Sequence, residues 1–275
     1  MARIIAITNN KGGCGKTTTA VNMAAALRLQ GYDVLAVDLD GQANLTQCFR
    51  AEANETMADA LADTSTPFIS PVRVLSPEGT AGVLDVLPSC RDLQAVEIDL
   101  TNKPDRFTRL SGVIEKYRDK YDVIIIDTPP ASGVLTISAL FAADEYIITV
   151  KPEYLDVQGL IAIERTIKQV EAAQGAPLAG RVLFTHYDRR KTIHNMTIEQ
   201  VEALDTPTYK TRIRSNVALG EAPYFGTDIF RYNKRSNGAQ DYAALVAEYL
   251  NGRKLKHCKH TYGTPQAKKT NPNVS

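Results

Sequence analysis

Cysteine is scarce in this chain of 275 residues: Cys14, Cys48, Cys90 and Cys258 stand far apart, with no C-x-x-C pair among them. That spacing signals neither a disulfide framework nor a zinc site, and reduced thiols are the expected state. The HCKH stretch at 257–260 has ligand-type residues but no second cluster to complete a tetrahedral set. Long apolar runs are also missing. None nears the roughly 18 residues of a membrane span, and the opening MARIIAITNNKGG shows no small-residue cleavage site. A cytoplasmic protein is the expectation. Net charge is almost absent too, +1 overall, yet residues 252–275 hold six basic residues and no acid, which leaves the body at −5. Any basic surface on the body is therefore local.

What the chain does have is apolar material, 44% of its residues, enough for a sizeable core. Short β-branched runs alternate with helical patterns. The expected strands are RIIAIT (3–8), DVLAVD (33–38), VLDVLP (83–88), DVIIID (122–127), EYIITV (145–150) and RVLFTH (181–186). Helices are expected near 16–30, 104–119, 133–143, 156–174 and 238–250. Strands such as 123–126 are apolar on both faces, which fits a parallel sheet covered on each side. The expected fold is α/β, a doubly wound, mostly parallel sheet with helices on both faces. Residues 51–82 read as a surface excursion. The expected division is a P-loop domain at 1–251 and a basic tail at 252–275 with too little apolar content to pack.

The stretch NKGGCGKTT at 10–18 lies between an expected strand and an expected helix, the context that makes a glycine pattern a phosphate site. Gly12, Gly13 and Gly15 let backbone N–H groups converge on phosphate oxygens, and the helix N-terminus adds partial positive charge. Lys16 would reach the β- and γ-phosphates and Thr17 would hold Mg²⁺. Asp127 ends an apolar strand where a carboxylate can hold the metal directly or through water. Asp38 and Asp40 share a strand face, and one of the two can serve only to cap the following turn, a role that suits Asp38 better. Against the standard loop G-x-x-x-x-G-K-[ST], residue 10 is asparagine and Lys11 is an extra lysine.

KGGCGKTT resembles the deviant Walker A motif of the ParA/MinD superfamily of ATPases. VDLDGQANLT (37–46) resembles its second motif, with Ala43 for the usual glycine, and IIIDTPPASGVLTISAL (124–140) its Walker B strand and second switch. VALGEAPYFG and SNGAQDYAAL are similar to the C-terminal part of chromosomal and plasmid partition ATPases. The resemblance covers most of residues 1–250 and implies a short ParA form, with no DNA-reading domain ahead of the first strand. It implies ATP and Mg²⁺ as cofactors, contacts from Lys11, Gly12, Gly13, Cys14, Gly15, Lys16, Thr17, Thr18 and Asp127, and metal ligation by Thr17, Asp40 and Asp127, partly through water. It implies catalytic roles for Lys11, Lys16 and Asp40, with Asp40 positioning the attacking water. Lys11 is implied to reach the nucleotide of a facing subunit in an ATP-bound homodimer, a cation acting in trans. Pro129, Pro130 and Gly133 suit a loop that rearranges around the γ-phosphate.

The output of such a switch varies. An iron-protein role needs a cysteine just past the Walker B switch, and none lies between Cys90 and Cys258. A MinD-like membrane ATPase needs an amphipathic C-terminal helix, which GRKLKHCKHTYGTPQAKKTNPNVS does not supply, so no stable membrane association is expected. A partition ATPase binds DNA without sequence preference. The candidate DNA surface is Arg189, Arg190, Lys191, Arg212, Arg214, Arg231, Lys234 and Arg235, some of which serve ordinary pairings. A centromere-binding partner protein that stimulates hydrolysis, and action at the nucleoid in plasmid or chromosome partition, complete this expectation. The alternatives are a ParA-like ATPase positioning a non-DNA cargo, a MinD-like membrane ATPase and a metabolic P-loop enzyme.

Overall fold

Strand β1 (Arg3–Thr8) sends Ile4 and Ala6 into one apolar cluster and Ile5 and Ile7 into another. A strand with both faces buried has to lie inside a sheet covered by helices on each side. The computed structural model describes residues 1–62, 68–75, 81–203, 206–253 and 255, and among them the six expected strands are present together with shorter elements that were not expected. After β1 come α1 (Lys16–Leu29), β2 (Val34–Asp38), α2 (Asn44–Phe49), α3 (Met57–Ala62), β3 (Val72–Arg73) and β4 (Leu84–Leu87). Then come α4 (Leu93–Thr101), α5 (Arg109–Glu115), β5 (Val123–Asp127), α6 (Val134–Ala142), β6 (Glu145–Val150), α7 (Tyr154–Gln174) and β7 (Ala179–Phe184). Helices α8 (Thr192–Glu202), α9 (Val217–Glu221), α10 (Ile229–Asn233) and α11 (Asn237–Leu250) complete the set, with a 3-10 turn at Ala222–Phe225.

The sheet order is β3-β4-β2-β5-β1-β6-β7, parallel except for β3 against β4. This order puts the carboxyl ends of β2, β5, β1 and β6 side by side, the edge where open α/β sheets bind ligands. Asp38 and Asp127 stand opposite each other in register there. Helix α1 is buried nearly all round because it packs between the sheet and α11. Thr19 and the fully buried Tyr242 of α11 share a hydrogen bond of 3.1 Å.

Three departures have physical causes. The 51–82 segment is not a surface excursion where it is described: Met57, Ala58, Leu61 and Ile69 are buried in the core and β3 extends the sheet. The helix expected over 104–119 is confined to α5, and α4 precedes it, unforeseen because only Leu93 and Leu100 of its nine residues are buried, too sparse a rhythm to read. Strand β7 ends at Phe184, since His186 turns into the left-handed region at φ 53°. Past the expected boundary at 251, Arg253 still hydrogen-bonds both oxygens of Glu145 and Leu255 packs against the core. Most of the expected tail, HCKH included, lies outside the described residues.

Candidate nucleotide site

The loop from β1 to α1 is braced from behind. Asn9 donates to the Thr149 carbonyl at 2.6 Å and accepts the Lys11 amide at 3.1 Å. The Cys14 thiol points inward, 3.1 Å from the Lys11 carbonyl and 3.3 Å from Thr149 Oγ1, while Thr185 Oγ1 donates to the Cys14 carbonyl at 2.8 Å. Gly13 and Gly15 adopt φ of 70° and 86°, a conformation that strains any side chain. Gly15 begins α1 without a side-chain cap, so the first amides of the helix remain open for an anion. Lys16 Nζ donates to the Lys11 carbonyl at 3.0 Å, across the mouth of the loop.

Three carboxylates face this loop. Asp38 is occupied: its oxygens accept the Thr46 amide (2.8 Å), the Thr46 hydroxyl (2.7 Å) and the Asp40 amide (3.2 Å), so it fixes the turn carrying Asp40. Burial pushes its carboxyl up to about 6 against those hydrogen bonds. Asp40 is 9% exposed and accepts the Gln42 amide at 2.9 Å. Asp127 is fully buried, and neither of its oxygens meets a hydrogen-bond partner in full geometry. Burial first, then the Asp38 charge, push its carboxyl well above the usual range; the nearby Thr17 hydroxyl and Lys16 ammonium pull the other way. A buried, unpartnered carboxylate beside a threonine hydroxyl and an anion-binding loop fits Mg²⁺, whose preferred ligands are oxygens. With Mg²⁺ bound to a nucleotide, the metal and Lys16 would neutralise charge developing on the transferred phosphate.

The structure also assembles residues that sequence reasoning missed. Lys11 is ion-paired with the buried carboxylate of Asp156 on α7 of the same chain, so in the isolated protomer it is held inward. Lys151, at the end of β6, brings its ammonium to the loop: a methyl built on Gly13 would stand 3.8 Å from Lys151 Nζ. Only the strand order could have revealed these two, since β6 lies next to β1. A cavity beside Gly15 and Thr18 is lined by Thr185, His186, Arg214 and Asn216.

The DNA-surface candidates divide. Arg190 pairs with Asp188 (2.8 Å), Arg214 with Asp241 (2.6 Å), Arg231 with Asp228 (2.6 Å) and Arg212 with Glu202 (3.6 Å). Arg189, Lys191, Lys234 and Arg235 are exposed and form no ion pair among the described residues. No helix among the described residues is long and apolar enough to cross a membrane.

An AAA domain family matches residues 2–179. The sporulation initiation inhibitor protein Soj of Bacillus subtilis is 39% identical over 253 residues, covering 90% of this chain and 98% of its own. The chromosome partitioning protein ParA of Caulobacter vibrioides is 33% identical over 264 residues, 94% of this chain and 97% of its own. Among solved structures, cobyrinic acid a,c-diamide synthase from Mycobacterium smegmatis with a bound ATP analogue and magnesium superposes with a TM-score of 0.76 at 30% identity, covering 94% of this chain and 99% of that one. The fold is thus shared along almost the whole length. The chain belongs to the AAA domain family and, within it, to the Soj/ParA group of ParA/MinD ATPases, which hydrolyse ATP with Mg²⁺.

Proposed function

We propose that this ATPase drives DNA partition, binding DNA without sequence preference as an ATP-bound homodimer and releasing it after hydrolysis. The observation that carries the reading is four exposed cations, Arg189, Lys191, Lys234 and Arg235, that form no ion pair among the described residues. A cavity lined by Arg189, by the ion-paired Arg190 and Arg214 and by Asp188 sets the start of α11, with Lys234 and Arg235 just ahead of it, beside the loop that ends at Lys191. On a body of net charge −5, cations with no carboxylate partner are the groups free to displace counterions from a phosphate backbone. The names of the similar Soj and ParA proteins support a role in chromosome partition. In this reading Lys11 leaves Asp156 to face the partner's nucleotide, Asp40 positions water, and the cavity beside Gly15 receives the base. A centromere-binding protein stimulates turnover at the nucleoid.

The test is anisotropy of a random DNA duplex titrated with protein in ATP analogue and in ADP. Affinity is expected only with the ATP analogue and should fall by about tenfold or more between 50 and 200 mM salt, as several phosphate contacts require. Equal, salt-insensitive binding in both states overturns the reading. The likeness to a structure named as an amide-forming synthase favours a second reading, ATP-dependent activation of a small-molecule acceptor. Turnover that random DNA stimulates with no acceptor present decides against it.

A further inference from the structure

Helix α4 lies against both loops that carry the site's carboxylates. Gly41 directly follows Asp40, and Gly133 closes the loop that leaves Asp127. A methyl built on Gly41 would stand 2.6 Å from Gln94 Cγ and 3.4 Å from the Gln94 backbone nitrogen. A methyl on Gly133 would overlap Glu97 Oε1, and the same oxygen accepts the Leu135 amide at 3.4 Å in the first turn of α6. Neither glycine has a positive φ, so what a side chain would meet at each is α4: the Gln94 side chain at Gly41 and the tip of Glu97 at Gly133. Gln94 and Glu97 are three residues apart and therefore share a helix face. The adjoining face anchors the helix: Leu93 and Leu100 are buried in the same apolar cluster as Leu39, before Asp40, and Leu135, after Gly133.

We propose that α4 mechanically couples the two loops, with Gln94 and Glu97 as positioning residues for ATP hydrolysis. Gln94 rests on the Asp40 loop and Glu97 on the Asp127 loop, so one loop cannot move relative to α4 without disturbing the seat of the other. Hydrolysis needs Asp40 and the metal site in register at the same moment. A short helix seated on both loops supplies that register without touching nucleotide. The inference rests on ATP hydrolysis at this site and is independent of DNA binding.

Two measurements test it. Glu97→Ala should lower kcat about tenfold with KM for ATP within about twofold, and Glu97→Gln, which keeps the acceptor and its shape, should restore kcat to within about threefold. Hydrogen exchange with a slowly hydrolysed ATP analogue separates coupling from local support. Glu97→Ala should reduce protection in 41–47, which Glu97 does not touch, as well as in 131–137. Gln94→Ala, a change at an exposed side chain that keeps the fold, should reduce protection in 131–137. Loss confined to the loop each residue contacts, or kcat unchanged in Glu97→Ala, overturns the proposal.

Discussion

Lys11 and Asp156 are ion partners across the end of the sheet: the lysine sits in the phosphate loop, and the carboxylate lies buried at the first turn of α7. If Lys11 must reach a second subunit, leaving Asp156 is part of the cost of dimerisation. Asp156→Asn removes the buried charge and should lower the protein concentration for half-dimerisation with ATP by about fivefold, a shift of about 1 kcal/mol, whereas Lys11→Ala should abolish the dimer. Light scattering in ATP analogue checks both; an unchanged threshold in Asp156→Asn shows that the pair does not restrain Lys11.

Lys151 should discriminate ATP from ADP. Gly13 faces the Lys151 ammonium, which puts that charge at the glycine turn of the phosphate loop, and its field also reaches His186 beside the proposed base cavity. Lys151→Gln is expected to weaken ATP binding by about fivefold and ADP by less than about twofold, the loss of one charge-assisted phosphate contact. Titration with fluorescent nucleotides measures the ratio, and equal losses would show no preference for the terminal phosphate.

Asp127 trades stability for chemistry. Its carboxylate is fully buried and unpartnered, and its pKa is raised by burial, so the neutral isostere in Asp127→Asn relieves the nucleotide-free fold. That variant should melt higher without nucleotide and lose about 100-fold in ATP turnover, with weaker dependence on Mg²⁺. Scanning calorimetry and a phosphate-release assay give the two readings; a lower melting temperature contradicts the assignment.

The buried Arg28–Asp228 pair ties α1 to the C-terminal third. Both side chains are fully buried, 3.4 Å apart, and Asp228 also caps α10 by accepting the Phe230 and Arg231 amides. Asp228→Ala leaves a buried guanidinium unpaired and removes the cap, so it should cost about 3–5 kcal/mol. Denaturant unfolding would detect this, and a cost below about 1 kcal/mol would mean that water reaches Arg28.

His194 sets an acid limit. It is buried, Nδ1 accepts the Asp188 amide at 3.1 Å, and burial, then the charge of Lys191, lower its pKa; Glu153 and Asp188 oppose. A histidine whose folded pKa is depressed contributes stability above its unfolded value of roughly 6.5 and loses it as pH falls below that. Thermal stability should therefore decline from pH 7 to 5, and His194→Gln should flatten part of that decline. Matching slopes in parent and variant would exclude the residue as a source.

Much of this architecture is legible in the sequence, for local reasons. Strands β1, β2 and β5 read as apolar runs because both their faces are buried, and the phosphate loop is contiguous. Illegible were the contacts that only the strand order creates. Lys151 and Asp156 come to the loop because β6 lies beside β1, and α4 meets two glycines that carry no signal of their own. The list of basic residues was legible, but which of them are neutralised was not: Arg190 and Arg214 read the same as Arg189 until Asp188 and Asp241 are placed.

The hydrogen bond between Thr19 and Tyr242 spans 223 residues of sequence. Helix α1 packs against α11, so a local opening of α11 removes the backing of the helix that begins at the phosphate loop. Loosening in the C-terminal third is thereby felt at the nucleotide site.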